Sequence, residues 1–313
     1  MPGAAGQAPE AAAPPILVAG DQVAPDYRVV AHLNRGNRLD IYDVWSASRT
    51  CRCIAKTLRP DRAREPRARR LLMTEGRLLQ RFTHPHLVRA YEITQDPERG
   101  IPVVILETLG GETLSHLLDR LDRAGRRLPV PDAVVLGQQL CSAMHYLHAN
   151  GLLHLDLKPS NIIAEAGRAK VLDLSIAMPP GPGRRGRGTF EYMAPEQARG
   201  GEVSAASDVW GIGMVLFDAL TGRSPWEPDD DDASRSSTAE DGADEESSIE
   251  LYEYRGGYAQ LEGRAPPVAR YRRLPRALSS LIDACLEPEP TARPTLQGLS
   301  DGLAALSSDE ASG

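Results

Sequence analysis

The sequence predicts an α+β chain whose first part is mainly strands around one helix and whose second part is mainly helical. Three observations carry this. Between Tyr27 and Val104, short runs rich in β-branched and aromatic residues are separated by turn residues. From about residue 130, apolar residues recur at helical spacing. The 313 residues are 41% hydrophobic, enough chain to bury a sizeable core, yet no apolar run approaches the roughly 18 residues of a membrane span.

Taken in order, Tyr27–Leu33 and Ile41–Ala47 flank Asn34-Arg35-Gly36-Asn37, a turn-rich link suited to a hairpin, and Arg52–Leu58 reads as a third strand. After the Arg-rich 59–70 comes a helix with an apolar stripe of Leu71, Leu78 and Phe82, on which Glu75 also falls. An inward carboxylate is costly unless paired, so Glu75 is either a half-exposed residue at the stripe's edge or half of an ion pair. Asp132 is the expected N-cap of a helix with a face of Leu136, Leu140, Ala143, Met144 and Leu147 that stops at Asn150-Gly151.

Leu153 to Lys158 alternates strictly between apolar and polar. Extended, it would set His154, Asp156 and Lys158 on one side and three leucines on the other, as any half-buried strand does. Ile162–Ala164 and Ala169–Leu172 read as a hairpin centred near Gly167, which makes Asn161 and Asp173 cross-strand neighbours. Beside Asp156, that pair is either an ordinary polar hairpin mouth or an oxygen-rich ligand set for a hard ion such as magnesium.

Charge is unevenly distributed. The formal net is −7, with 43 acidic against 36 basic residues. Residues 227–250 hold 11 acids and one arginine, so the remainder is slightly positive. A block this polar cannot bury enough apolar surface to order itself, and is expected to be a disordered surface insertion. Residues 1–24, mostly Ala, Pro and Gly, and 307–313 read as flexible stretches. The start of the chain lacks the basic and apolar regions of a signal peptide. The four cysteines (Cys51, Cys53, Cys141 and Cys285) have no framework spacing. A reducing, cytoplasmic setting is expected. Only three basic residues are lysines, Lys56, Lys158 and Lys170; the other 33 are arginines.

The motifs HLDLKPSN (154–161), VLDLS (171–175) and YMAPE (192–196) together resemble the core of the protein kinase family, over roughly residues 20–306. The resemblance implies a bilobal fold within 25–306: a β-rich N-lobe over 25–107 with one key helix, and a mainly helical C-lobe over 108–306. It implies ATP and Mg2+ as cofactors, protein substrates with Ser/Thr acceptors, and no nucleic-acid partner. It casts Lys56 as the lysine at the α/β-phosphates, Glu75 as its partner, Asp156 as the group that takes or orients the acceptor proton, and Lys158 as the steadying ammonium. Asn161 and Asp173 would hold magnesium. Leu33, Gly36, Ile41, Leu106, Glu107 and Leu109 would line the nucleotide site, with Leu106 as gatekeeper. His154, Thr189, Glu196, Asp208 and Arg293 would be structural supports, Glu196 pairing with Arg293. His145 and His148 fall where the family keeps core histidines. Lys158 and Gly188-Thr189 resemble the serine/threonine branch. Such a site works by positioning and charge neutralisation.

This sequence departs from the family pattern in three places. The family's loop glycines align with Asn34, Gly36 and Leu39, so one survives, and altered nucleotide binding is expected. Leu155 stands where an arginine usually reads an activation-loop phosphate, and residues 176–188 contain no hydroxyl to phosphorylate. Asp173-Leu174-Ser175 keeps the metal ligand in a stiffer setting. The chain is therefore expected to act without loop phosphorylation, or else to bind nucleotide without turnover. The acidic insert is expected to dock a basic segment of a substrate, to fold back on Arg184, Arg185 and Arg187, or to have no role.

Overall fold

The computed structural model describes residues 15–227 and 257–310. The acidic run read over 227–250 lies outside them apart from Glu227, as do residues 1–14 and the end of the chain after 310. The chain divides into two compact units. One comprises residues up to Gly76 with Tyr91–Thr108, the other Arg77–Ala90 with everything from Leu109. The division falls between Thr108 and Leu109, and 77–90 joins the second unit. Backbone hydrogen bonds explain why: Val88 N–H donates to the Val171 carbonyl at 3.0 Å, and Val171 N–H to the His86 carbonyl at 2.9 Å.

The first unit is built on a six-stranded sheet in the order β1-β2-β3-β4-β6-β5. Its strands are β1 (Gln22–Ala24), β2 (Tyr27–Arg35), β3 (Leu39–Ser46), β4 (Cys51–Leu58), β5 (Ala90–Gln95) and β6 (Pro102–Glu107). Residues 22–24 belong to the stretch whose Ala/Pro/Gly composition predicts flexibility. They form β1 because Val23 and Ala24 bury in one apolar cluster with Tyr27, Tyr42, Cys53 and Ile105. The β2–β3 hairpin runs two residues further on each side than the turn-rich sequence suggested. Arg35 and Asp40, directly opposite, close its end with a bidentate ion pair of 2.7 and 2.8 Å.

Helix α1 (Pro66–Arg81) follows β4. Its fully buried stripe is Ala68, Leu72, Glu75 and Leu79, leading on to Phe82. Leu71 and Leu78, expected on that stripe, lie at its half-buried edge. A stripe of this width admits two neighbouring readings, and the sequence reading was one residue off on both leucines.

In the second unit, β7 (Glu112–Thr113), α2 (Leu114–Arg123) and α3 (Val130–Ala149) precede the hairpin of β8 (Ile162–Glu165) and β9 (Arg168–Val171). Helix α3 begins before Asp132, which lies in its first turn; Pro129 is the N-cap. The expected apolar face is buried throughout. After β10 (Gly181–Pro182), α4 (Pro195–Arg199) and β11 (Glu202–Val203) comes α5 (Ala205–Thr221), apolar nearly all round and buried accordingly. Helices α6 (Ala259–Glu262), α7 (Arg276–Cys285) and α8 (Leu296–Glu310) complete it.

The β8–β9 register corrects the sequence reading by one residue. Glu165 faces Arg168, leaving Ala166 and Gly167 as a two-residue turn with φ of 45° and 80°. The mirror point therefore falls between them rather than on Gly167. Asn161 meets Leu172, whose N–H donates to the Asn161 carbonyl at 2.8 Å, and Asp173 lies one residue beyond.

Glycine is needed where β7 meets β8. A Cβ on Gly111 would lie 2.0 Å from the Ala164 carbonyl oxygen, and backbone cannot swing aside. Gly111→Ala is expected to destabilise the second unit by about 2 kcal/mol in urea unfolding; an unchanged midpoint would contradict this close approach.

Candidate active site

In the first unit the two sheet faces are chemically distinct. Tyr42, Ala55 and Ile105 stand opposite one another and belong to the apolar cluster. Ile41, Lys56 and Val104 are likewise opposite one another, on the other face. Leu106, two residues after Val104 on β6, shares that face and is 8% exposed. Lys56 is buried there, and its ammonium donates to both oxygens of Glu75 at 2.7 and 2.8 Å. This resolves the inward-facing Glu75 as half of an ion pair. A buried ammonium held this way is fixed in place, whereas a surface lysine is not.

The glycine-poor loop is held by arginines the sequence reading passed over. Besides the Arg35–Asp40 pair, Arg59 donates to the Gly36 carbonyl at 3.3 Å. The Gly36 N–H closes a tight turn onto the Leu39 carbonyl at 2.9 Å. Leu33 is 53% exposed beside this loop, while Gly36 and Ile41 are half-buried. Glu107 and Leu109 fall on either side of the boundary between the units.

In the second unit, 153–158 is not a strand. Leu155 adopts φ +68°, which breaks the alternation, and Leu153, His154, Leu155 and Leu157 are all buried. The loop hangs on Asp208 of α5. One oxygen accepts the Leu155 N–H at 2.8 Å, the other the His154 N–H at 2.9 Å and His148 Nε2 at 2.7 Å. Burial pushes the Asp208 carboxyl up. The His148 hydrogen bond, the nearby imidazoles of His148 and His154 and the Leu155 N–H outweigh it, leaving the group below the ordinary carboxylate range. His154 accepts the Asp156 N–H on Nδ1 at 3.1 Å, so Nε2 carries the proton it donates to the Leu172 carbonyl at 3.1 Å.

This scaffold presents a compact polar constellation. Asp156 Oδ1 accepts from Thr189 N at 2.9 Å and Thr189 Oγ1 at 2.7 Å, and Oδ2 accepts from Asn161 Nδ2 at 2.9 Å. Lys158 donates to Thr189 Oγ1 at 2.7 Å and lies 3.7 Å from Asp156 Oδ2. Asn161 Nδ2 also donates to the Asp156 carbonyl at 2.9 Å, which turns its amide oxygen away from Asp156. Asp173 has φ +50° and accepts the Ser175 N–H at 2.8 Å. Asn161 and Asp173 thus offer oxygen donors of the type magnesium takes. Among the described residues no three His, Cys, Asp or Glu side chains converge on a metal position. Two protein ligands suit magnesium, which keeps waters and binds substrate phosphates.

Glu196 and Arg293 pair bidentately at 2.8 and 2.8 Å. Ser207 adds a hydrogen bond to Glu196 at 2.7 Å, and the guanidinium lies 5.0 Å over the Trp210 ring. Sequence reasoning missed Gln197, whose amide holds the Leu155 and Arg187 carbonyls at 2.8 and 2.9 Å. It also gave His148 no task beyond the core. No spacing pattern marks either: Gln197 works through backbone carbonyls that only the folded loop supplies, and His148 through the Asp208 carboxylate 60 residues further along the chain. All four cysteines are free thiols. Burial pushes Cys53 to about 11 and Cys141 to about 12, so neither is a nucleophile near neutral pH.

A family model described as protein kinase domain matches residues 27–302, and the chain belongs to that family. Among curated proteins, the probable serine/threonine-protein kinase SCO3848 of Streptomyces coelicolor is 30% identical over 210 residues, 64% of this chain and 31% of that protein. PknB of Mycobacterium tuberculosis, a serine/threonine-protein kinase, is 34% identical over 184 residues, 56% and 29% respectively. The serine/threonine-protein kinase PksC of Streptomyces coelicolor is 26% identical over 287 residues, 88% and 48%. The chain spans less than half the length of each of these relatives.

Two measurements check the supports. Arg293→Met leaves the Glu196 carboxylate buried without its partner and is expected to destabilise the second unit by about 3–5 kcal/mol in denaturant unfolding. Because the folded Asp208 value is depressed, its contribution is present above the unfolded value near about 4 and fades as pH falls through the folded value. The stability gap between wild type and Asp208→Asn should therefore narrow on acidification; a gap that widens would reverse the sign.

Proposed function

We propose that this chain is an ATP- and magnesium-dependent protein kinase domain that phosphorylates serine and threonine hydroxyls without needing a phosphate on its activation segment. The observation that carries this reading is the Asp156 carboxylate, held by Thr189 and Asn161 with the Lys158 ammonium beside it. A carboxylate so fixed can accept the proton of an incoming hydroxyl, and Lys158 is near enough to offset charge on a transferring phosphoryl. Lys56, fixed by Glu75, would contact the nucleotide phosphates. Asn161 and Asp173 would hold magnesium, which when bound neutralises the phosphate charge.

Independence from loop phosphorylation rests on Leu155. It is 4% exposed and packs with Leu153, Ile176 and Val203 in one apolar cluster, flanked by Met178. That cluster joins the loop before Asp156, the segment after Asp173 and β11. The backbone adds β10–β11 pairing and the Gly186 N–H to the Gln197 carbonyl at 3.0 Å. Burial therefore orders the segment where an arginine–phosphate contact would otherwise be needed. Substrates would be proteins, and the charge of 227–250 suits a basic segment on one of them. No described helix is long and apolar enough to cross a membrane, and the free thiols suit a reducing, cytoplasmic setting.

A second reading, nucleotide binding without turnover, is favoured by Leu39 where a third loop glycine would lie. Radiolabelled ATP turnover with magnesium discriminates the two. Asp156→Asn is expected to lose about 100-fold or more; equal background in both proteins would favour the second reading. ATP at 100-fold over its dissociation constant should stabilise the protein by about 2.7 kcal/mol in either case, and no shift would contradict both. Phosphatase treatment is expected to leave turnover intact, whereas a loss of about tenfold would sink the proposed independence.

A further inference from the structure

We propose that Gly76 is a positioning residue for the Lys56–Glu75 pair, setting how closely α1 lies on the sheet and hence where the lysine ammonium is held. This rests on the reading of Lys56 as the phosphate-contacting lysine. Gly76 is buried in the middle of α1, immediately after Glu75. A Cβ placed on it would lie 2.8 Å from Val104 Cγ2 and 3.0 Å from Ile93 Cδ1. Val104 is the residue directly opposite Lys56 on the neighbouring strand. The glycine therefore rests on the side chain beside the lysine that its own neighbour binds.

The clash has little room to relax. Val104 is fully buried in β6, between β4 and β5, and a β-branched side chain has few rotamers to retreat into. Ile93 is half-buried and can give more readily. In a close-packed interior the helix is what moves. A lift at residue 76 passes to Glu75 through a single peptide unit, while Lys56 stays with its strand. Glycine is a poor helix former, so its presence here is explained by contact rather than by local preference. Gly76→Ala should improve helix propensity and still disturb the ion pair, a combination that separates positioning from folding.

The lysine count makes the test direct. Three lysines give three signals in a protein labelled at lysine Cε and Nζ for NMR. Gly76→Ala is expected to move the Lys56 signal and leave those of Lys158 and Lys170. Adding Val104→Ala, which removes the obstructing methyls, is expected to return it. Val104→Leu, which fills the same gap from the sheet side, should move it as Gly76→Ala does and serves where Gly76→Ala does not fold. Turnover should follow, with kcat/KM falling about tenfold in Gly76→Ala and recovering in the double variant. A Lys56 signal that stays in place, or a shift that Val104→Ala does not reverse, overturns the proposal. Full turnover in Lys56→Met would instead overturn the underlying reading, and the NMR result would still decide the positioning.

Discussion

The second unit depends on one buried carboxylate. Asp208 takes two consecutive backbone N–H groups and an imidazole, and through them fixes a loop that has no regular structure of its own. His154, tethered by its N–H, spends both ring nitrogens on backbone: one orients Asp156, the other holds Leu172. Asp173 follows Leu172 directly. Asp156, and Leu172 with Asp173 after it, are thus placed through one imidazole, and the placement starts from α5, the most thoroughly buried helix of the unit. An acid can sit at such depth because every hydrogen bond it accepts favours its charged form.

The chain divides labour between its two kinds of cation. Arg293 spreads its donors over Glu196 and three carbonyls, those of Glu287, Ala206 and Pro288, and lies over Trp210. That is a planar fork used as a structural rivet, a task for which a compact ammonium has too few donors. Lys56 and Lys158 are the reverse: single charges aimed at one carboxylate and one hydroxyl. In a protein that uses arginine for 33 of its 36 basic residues, lysine stands at both of these positions.

Much of this was legible in the sequence, and the failures are instructive. Turn residues located the hairpins, and helical spacing located the face of α3. Motif order pointed to Lys56, Glu75, Asp156 and Asn161 before any geometry. What escaped were effects of single residues on local phase. The two-residue turn at Ala166-Gly167 shifted the β8–β9 register by one. Leu155 at positive φ turned an apparent strand into a buried loop. The Ala/Pro/Gly composition before Tyr27 concealed Val23 and Ala24, whose burial depends on partners as distant as Ile105. Gln197 left no trace because it binds carbonyls, which every residue possesses.

The Glu196–Arg293 pair joins residues 97 apart in the chain, and residues 228–256 lie inside the loop it closes. Loop-closure entropy grows only with the logarithm of length. Removing 228–256 from that loop would change its closure free energy by about 0.3 kcal/mol, well below the worth of a single buried methylene. Chain length at this point therefore adds little to the closure term. Arg293 must leave the ribosome before the loop can close at all.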